Sequence, residues 1–124
     1  MRLWLDDIRE PWKYGFILSE WAHTADEAIA MLKTGEVTYA SLDHDLQPEH
    51  YSNHCGDDCG CAVVNWMEAN NVWPVDGVLV HSQNESARLK MEQGIDKHYG
   101  EGYSRRENFR KVAQFIEDVK SGKI

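Results

Sequence analysis

Short apolar runs that end in polar residues, separated by segments with helical spacing, constrain the fold of this 124-residue chain more than any other feature. Runs of this kind are typical of buried strands, and they occupy residues 2–6, 16–21, 37–42 and 77–81. Strands that alternate with helices along a chain form a parallel sheet covered by helices. The sequence therefore predicts an α/β fold with about four parallel strands.

Helix signals fill the gaps between these runs. Thr24 and Glu27 have the spacing of a capping box, in which each side chain binds a backbone N–H of the first turn. Gly35 is suited to end this helix. Apolar residues at helical spacing predict further helices over 62–70 and from about residue 86. The predicted element order is β-β-α-β-α-β-α-α.

The C-terminal part of the chain predicts one more helix. Ser104 and Glu107 repeat the capping-box spacing, which places the start of this helix at Ser104. An apolar stripe follows, and we expect it to face the core. Its members are Phe109, Val112, Ala113, Ile116 and Val119.

Composition limits the classes of protein to consider. The length suits one domain over residues 1–124. The apolar runs are too short to cross a bilayer and the N-terminus lacks a signal-peptide pattern, so we expect a cytoplasmic protein that makes no use of a membrane. A net charge of −8 disfavours binding to duplex DNA. A small phosphorylated ligand is compatible with this charge if a metal ion or an arginine offsets the negative charge of the ligand.

Polar residues of catalytic type follow three of the predicted strands. They are Asp6 and Asp7 after the first, Asp43, His44 and Asp45 after the third, and His81, Ser82 and Asn84 after the fourth. Because the carboxyl ends of parallel strands share one edge, we expect these residues to converge there. Carboxylates in such a cluster repel one another unless a cation lies among them, and Mg²⁺ or Mn²⁺ prefers oxygen ligands. The alternative is that the aspartates serve as turn and helix-cap residues.

Three motifs give the chain a resemblance to a known family. They are Leu5-Asp6-Asp7-Ile8-Arg9, Ser41-Leu42-Asp43-His44-Asp45-Leu46 and His81-Ser82-x-Asn84. In residue type and in order they resemble the cyclic-phosphate processing receiver domains, a variant of the receivers of two-component signalling found in phage and bacterial genomes. The resemblance covers about residues 1–95 and leaves residues 96–124 as a C-terminal helical extension.

The resemblance implies a receiver-like, flavodoxin-like sheet with a metal pocket at its carboxyl edge. Asp6 and Asp7 match the acidic pair of receivers, and Asp43 matches their phospho-accepting position. We expect these three carboxylates and Asp45 to lie within reach of one Mg²⁺ or Mn²⁺ ion.

Other residues of the motifs are expected to bind or transform the ligand. Ser82 matches the receiver hydroxyl position, and Arg9 and Asn84 are suited to hold phosphate oxygens. His44 and His81 have no counterpart in ordinary receivers. A general base and a general acid are what cleavage of a phosphoester requires, so we expect both histidines to face one open cleft with Asp43 between them.

A second group of candidate ligands lies in the polar segment 47–61. His54, Cys55, Cys59 and Cys61 could supply four ligands for a structural Zn²⁺ ion. Cys-x-Cys is not a standard zinc-finger spacing, however. The alternative is a loop with reduced thiols and Cys61 buried at a helix start.

The predicted function is metal-dependent hydrolysis of a cyclic phosphoester, either a cyclic nucleotide or a 2′,3′-cyclic phosphate end. Trp12 and Tyr14, close in sequence to Arg9, could stack on a base. One alternative is a receiver-like module without turnover that binds or sequesters a nucleotide signal or a protein partner. A third hypothesis, an acidic protein that mimics nucleic acid, predicts carboxylates spread over one face.

Overall fold

The computed structural model describes residues 1–16, 18–46, 59–82 and 84–122. Four strands form one sheet, and a short 3₁₀ helix at Pro11–Tyr14 precedes the second strand. The strands are β1 Arg2–Leu5, β2 Ser19–Ala22, β3 Tyr39–Leu42 and β4 Gly77–Val80. The helices are α1 Ala25–Lys33, α2 Gly60–Asn70, α3 Glu85–Tyr99 and α4 Tyr103–Lys120.

All neighbouring strands are parallel, and their order across the sheet is β2-β1-β3-β4. This arrangement confirms the predicted receiver-like α/β fold. The second strand is displaced from its predicted position, because Phe16 closes the 3₁₀ turn by donating its N–H to Pro11 O at 3.0 Å. Pairing with β1 begins at Ser19.

The two faces of the sheet are packed differently. Side chains alternate between faces along a strand, and Leu3 and Leu5 point into the main core together with residues of α1, α2 and α3. Trp4 and Tyr39 point to the opposite face, where they form a smaller aromatic cluster with Phe16. The residues that follow the strands therefore stand at the border between an apolar core and an aromatic face.

Helix α1 forms as its sequence predicts. Thr24 Oγ1 accepts the N–H of Glu27 at 3.1 Å. The Glu27 carboxylate accepts the N–H of His23, one residue before the cap. Gly35 follows the helix with a φ of 75°, a conformation that glycine adopts without strain.

The prediction for α4 is wrong in two respects. The helix begins at Tyr103 after Gly102, and Ser104 lies inside it, where its hydroxyl donates to Asp96 Oδ1 at 2.6 Å. The predicted apolar stripe is exposed, with Phe109 at 68% and Val112 at 59%. The reason is that polar contacts attach α4 to the sheet: Glu107 is buried and accepts the hydroxyl of Tyr39 at 2.7 Å.

In the part of the chain that the structure describes, no helix is both long enough and apolar enough to cross a bilayer.

Candidate active site

The ends of β1, β3 and β4 bring three candidate residues together. Ligand atoms of Asp6, Asp43 and His81 all lie within 4.8 Å of one another. Asp6 and Asp43 are 1% and 3% exposed, so their charges depend on partners inside the protein. The parallel order of the strands places these residues at one edge, as the sequence predicts.

Asp6 is the most heavily hydrogen-bonded member of this group. Its Oδ1 accepts the N–H groups of Ile8 and Arg9, at 2.9 and 2.8 Å. Its Oδ2 accepts Arg9 Nε and His81 Nε2, both at 3.0 Å. Burial alone would raise the pKa of Asp6, but these hydrogen bonds outweigh it and leave the pKa below its usual value. The contacts therefore favour the ionised form of Asp6, which orients its neighbours.

Arg9 connects the two buried carboxylates. Its Nη2 lies 3.3 Å from Asp43 Oδ2, while its Nε binds Asp6. Burial raises the pKa of Asp43, and the charge of Asp6 adds to this effect, although His81 and Arg9 oppose it. One guanidinium thus shares its single positive charge between two carboxylates.

Asp7 adds a third negative charge to this edge. Burial raises its pKa, and repulsion from Asp6 and Asp43 raises it further, against the opposing effect of Arg9. Three carboxylates around one arginine leave an excess of negative charge, and their oxygen atoms are ligands that Mg²⁺ and Mn²⁺ accept. Asp6 and Asp43 therefore fit a divalent ion in charge and in ligand type, provided that Arg9 shares their oxygen atoms with it. Asp7 adds negative charge at this edge, but it is not a member of the Asp6–Asp43–His81 group among the described residues, contrary to the expectation that its carboxylate reaches the same ion.

We expect Asp7→Asn to stabilise the metal-free protein. The substitution removes a repelled carboxylate. Because this group is only partly buried, solvent screens the repulsion, and a gain on the order of 0.5 kcal/mol at pH 7 would raise the melting temperature by about 2 °C. The folded-state pKa of Asp7 lies above the unfolded value, so the charged group destabilises the fold at neutral pH. The advantage of the Asp7→Asn variant should disappear below pH 3.8, the ordinary value of the group. Thermal denaturation in EDTA between pH 3 and 7 measures this, and an Asp7→Asn variant that melts below the wild type at pH 7 would contradict it.

His81 is held by three contacts. Its Nε2 donates to Asp6, its Nδ1 lies 2.8 Å from Ser41 Oγ, and its ring stacks on Trp4 with centroids 4.0 Å apart. Since the carboxylate of Asp6 can only accept, Nε2 carries a proton. The Ser41 hydroxyl then donates to Nδ1 when the ring is neutral.

Ser41 is a site residue to which the sequence interpretation assigned no role of its own. The signal for it is a hydroxyl in the middle of an otherwise apolar strand, two positions before Asp43. Residues two apart on a strand share a face. Ser41 therefore points to the aromatic face together with Tyr39, where His81 also lies.

His44 does not share a cleft with His81, contrary to expectation. It is fully buried, and its Nδ1 lies 2.5 Å from Asp45 Oδ1. Its other neighbours are Cys59 and Cys61, with donor atoms within 4.8 Å. The side chain points into the main core because the chain turns after Asp43, whose Oδ1 accepts the His44 N–H at 2.9 Å.

Asp45 and Asn84 belong to the surroundings of His44. Asp45 Oδ1 also accepts Asn84 Nδ2 at 3.3 Å, and Asp45 is not a member of the Asp6–Asp43–His81 group among the described residues. Asn84 is the N-cap of α3 through its Oδ1, and Ser82 Oγ accepts the Asn84 N–H at 3.1 Å. Ser82 and Asn84 therefore act here as turn and cap residues.

The predicted zinc ligands are only partly covered by the structure. His54 and Cys55 lie outside the described residues. Cys59 and Cys61 are buried at the start of α2, where they carry thiols and not a disulfide. Hydrogen bonds from Cys61 and His44 lower the pKa of Cys59, although burial opposes them.

A cavity of about 480 Å³ lies on the aromatic face beside His81. Trp4 of β1, Ser41 of β3 and His81 after the end of β4 contribute to its lining, and Tyr14 lines it from the 3₁₀ segment. We call it the basic pocket, because the cations that line it are Arg2, Arg9, Arg110 and Lys111. Of the described residues that line it, Asp118 alone is acidic. Such a concentration of positive charge is notable in a chain of net charge −8.

The cations of the basic pocket are crowded. Lys111 stands over the ring of Tyr39, 4.2 Å from its centroid. Burial lowers the pKa of Lys111, and repulsion from Arg110 and Arg2 lowers it further, although Glu107 opposes this. An anion bound in the pocket would offset the repulsion among these cations and replace the interactions with water that they lose on burial. The pocket is therefore suited to a negatively charged ligand with an aromatic or apolar part.

Trp12 and Tyr14 differ in their relation to this pocket. Tyr14 stacks on Trp4, with ring centroids 5.9 Å apart, and lines the cavity. Trp12 instead packs edge-on against Trp21, at 5.7 Å. Of the two, Tyr14 is the one that lines the basic pocket.

A parallel sheet in the order β2-β1-β3-β4, with acidic residues at its carboxyl edge, defines a receiver-like domain. The family model of the cyclic-phosphate processing receiver domain matches residues 1–97. The chain belongs to this family, which confirms the resemblance carried by its three motifs. Neither the curated proteins nor the solved structures contain a significant match. Helix α4, which forms one wall of the basic pocket, lies beyond the matched residues.

Proposed function

We propose that the protein binds a cyclic phosphoester in the basic pocket and hydrolyses it with the help of a divalent metal ion. One observation carries this proposal. Arg9 and His81 line a cationic, aromatic pocket, and both are hydrogen-bonded to Asp6, the buried carboxylate that follows β1. Arg9 and His81 thus belong both to the pocket that would bind the ligand and to the group of residues that would act on it.

The pocket explains how such a ligand would be held. Its volume lies within the range of pockets for small organic ligands, roughly 300–1,000 Å³. Arg110 and Lys111 from α4 line it together with Arg9, and guanidinium groups suit phosphate oxygens. Tyr14 and Phe115 offer aromatic surface for a base or sugar.

His81 is the residue best placed to transfer a proton. In hydrolysis a water molecule adds to phosphorus, one ring P–O bond breaks, and the products are a phosphomonoester and a hydroxyl. Nδ1 of His81 takes the proton of the attacking water once Ser41 yields its hydrogen bond, and the departing oxygen takes a proton from solvent. Asp6 stabilises the imidazolium that forms.

Asp6 and Asp43 would hold the divalent ion, and Asp7 would contribute negative charge at the same edge. When bound, Mg²⁺ or Mn²⁺ supplies a Lewis acid that polarises a phosphoryl oxygen. Arg9 would then turn part of its hydrogen-bonding capacity from Asp43 to the phosphate. The raised pKa of Asp43 and of Asp7, caused first by burial, supports the need for additional positive charge.

A non-catalytic receiver-like module is the second candidate. The observation in its favour is that both nitrogens of His81 and both carboxylate oxygens of Asp6 are already hydrogen-bonded within the protein. A module of this kind would hold the phosphate in the basic pocket and release it unchanged.

Incubation with a panel of ligands separates the two functions. The panel contains 3′,5′-cyclic nucleotides, 2′,3′-cyclic nucleotides and RNA ending in a 2′,3′-cyclic phosphate, each with Mg²⁺, Mn²⁺ or EDTA. Chromatography detects the monoester product, and calorimetry measures binding. We expect product from at least one ligand with metal and none with EDTA. Binding without product supports the module, and absence of both product and binding contradicts the proposal.

A further inference from the structure

A second cluster of donor side chains lies inside the main core, away from the basic pocket. His44 and Cys59 are completely buried and Cys61 is 7% exposed. One donor atom from each lies within 4.8 Å of the others. We propose that these three residues form a zinc site, with a ligand set different from the one that the sequence spacing predicts.

The hydrogen bond between His44 and Asp45 supports this assignment. Asp45 Oδ1 lies 2.5 Å from His44 Nδ1, and an ionised carboxylate only accepts, so Nδ1 carries the proton. Nε2 is then the nitrogen that can bind a metal. Histidine ligands of zinc typically donate their other N–H to a carboxylate, which fixes the ring and strengthens the ligand. Asp45, which is also bound by Asn84, is thus a positioning residue for His44.

The backbone between the two cysteines holds them against the end of β3. Gly60 donates its N–H to His44 O at 3.0 Å. A Cβ on Gly60 would lie 2.2 Å from Asp43 O and 2.6 Å from Met91 Cε. No other residue type fits this approach without displacement of the backbone. The close contact places Cys59 and Cys61 on either side of Gly60, beside His44, before any ion binds.

The ligand type selects the metal. Two cysteine sulfurs, which bind as thiolates and release their protons to solvent, and one imidazole are the soft and intermediate ligands that Zn²⁺ prefers, and Mg²⁺ prefers oxygen. Three protein ligands leave the fourth tetrahedral position to water or to another donor. An ion here would tie the first turn of α2 to the residue that follows Asp43, and so stabilise the edge of the sheet that carries the candidate active site.

Zinc and cobalt binding by the whole chain test this site without any phosphoester. The protein is purified under reducing conditions, stripped of metal and loaded with one equivalent of Zn²⁺ for X-ray absorption. We expect two sulfur neighbours at about 2.3 Å and an imidazole nitrogen at about 2.0 Å. This measurement needs no variant. Zinc that has only oxygen and nitrogen neighbours, or no zinc binding at micromolar concentration, would overturn the proposal.

Titration with Co²⁺ then assigns the ligands. The wild type and Cys55→Ser should show a thiolate-to-cobalt charge-transfer band, which Cys59→Ser and Cys61→Ser weaken or lose. His44→Gln should change the d–d spectrum, and Asp45→Asn should weaken binding about 10–100-fold. Circular dichroism verifies that each variant is folded. A band that persists in His44→Gln unchanged and vanishes in Cys55→Ser would assign the ion to another ligand set. A protein without this zinc site would not contradict the proposed hydrolysis, because that reaction is assigned to a different group of side chains.

Discussion

Replacement of His81 by alanine is expected to lower the turnover of a cyclic phosphate by about 10²-fold or more, if His81 transfers the proton in the rate-limiting step. Asp6 and Ser41 orient the imidazole, and it lines the basic pocket. The KM should change much less than kcat, since Arg9 and the cations of α4 remain to bind the phosphate. Steady-state kinetics on the ligand that gives product in the panel measures both constants.

His98→Ala is the matched control for this experiment. His98 also stacks on a tryptophan, Trp73, with centroids 4.6 Å apart, but it is exposed near the end of α3. The control should keep wild-type kcat and lose no more than a small part of its stability. Equal turnover in His81→Ala and the wild type would remove His81 from the proton transfer.

Replacement of Arg9 by methionine should have the largest effect on stability. The variant leaves Asp6 and Asp43 without their shared cation, and loss of one partner from a buried ion pair costs roughly 3–5 kcal/mol. The Arg9 side chain is 26% exposed, so solvent screens part of the interaction between these charges. We therefore expect the free energy of unfolding to fall by about 2–3 kcal/mol at pH 7. Urea denaturation in EDTA measures the free energy of unfolding.

Addition of Mg²⁺ or Mn²⁺ should restore more stability to the Arg9→Met variant than it adds to the wild type. The reason is that the freed carboxylate oxygens become available to the ion, and binding to the folded state alone stabilises it. Arg105→Met, a change of the same charge at an exposed position of α4, is the control and should show neither the loss nor the metal response. Identical metal responses in Arg9→Met and Arg105→Met would argue against a metal site at Asp6 and Asp43.

The strand ends were the most informative part of the sequence. Apolar runs before Asp6, Asp43 and His81 predict parallel strands, and parallel strands deliver their last residues to one edge. That reasoning needs only local patterns and a topological rule, and the convergence of these three residues agrees with it. The direction in which His44 and Asp45 leave β3 does not follow from such a rule, because alternation between faces stops where the strand ends.

Helix α4 illustrates the limit of a hydrophobic pattern. The stripe from Phe109 to Val119 has helical spacing, but Glu107 and Ser104 make the buried contacts through Tyr39 and Asp96. The spacing of apolar residues does not show which polar side chain of a helix will bond to a residue far away in the chain, such as Tyr39. The same limit applies to the basic pocket, which joins Arg2 and Arg9 to Arg110 and Lys111 across the sheet.

Local sequence was enough to establish the α/β class, the parallel sheet and the identity of the polar residues at its edge, since apolar runs and helix caps act over a few neighbouring residues. The partners of these polar residues depend on the folded chain. Folding pairs His81 with Asp6 and Ser41, and it places His44 with Cys59 and Cys61. The physical reason is that a buried polar side chain turns toward whichever charge or hydrogen-bond partner packing brings to it, and these partners come from strands and helices far apart in the chain.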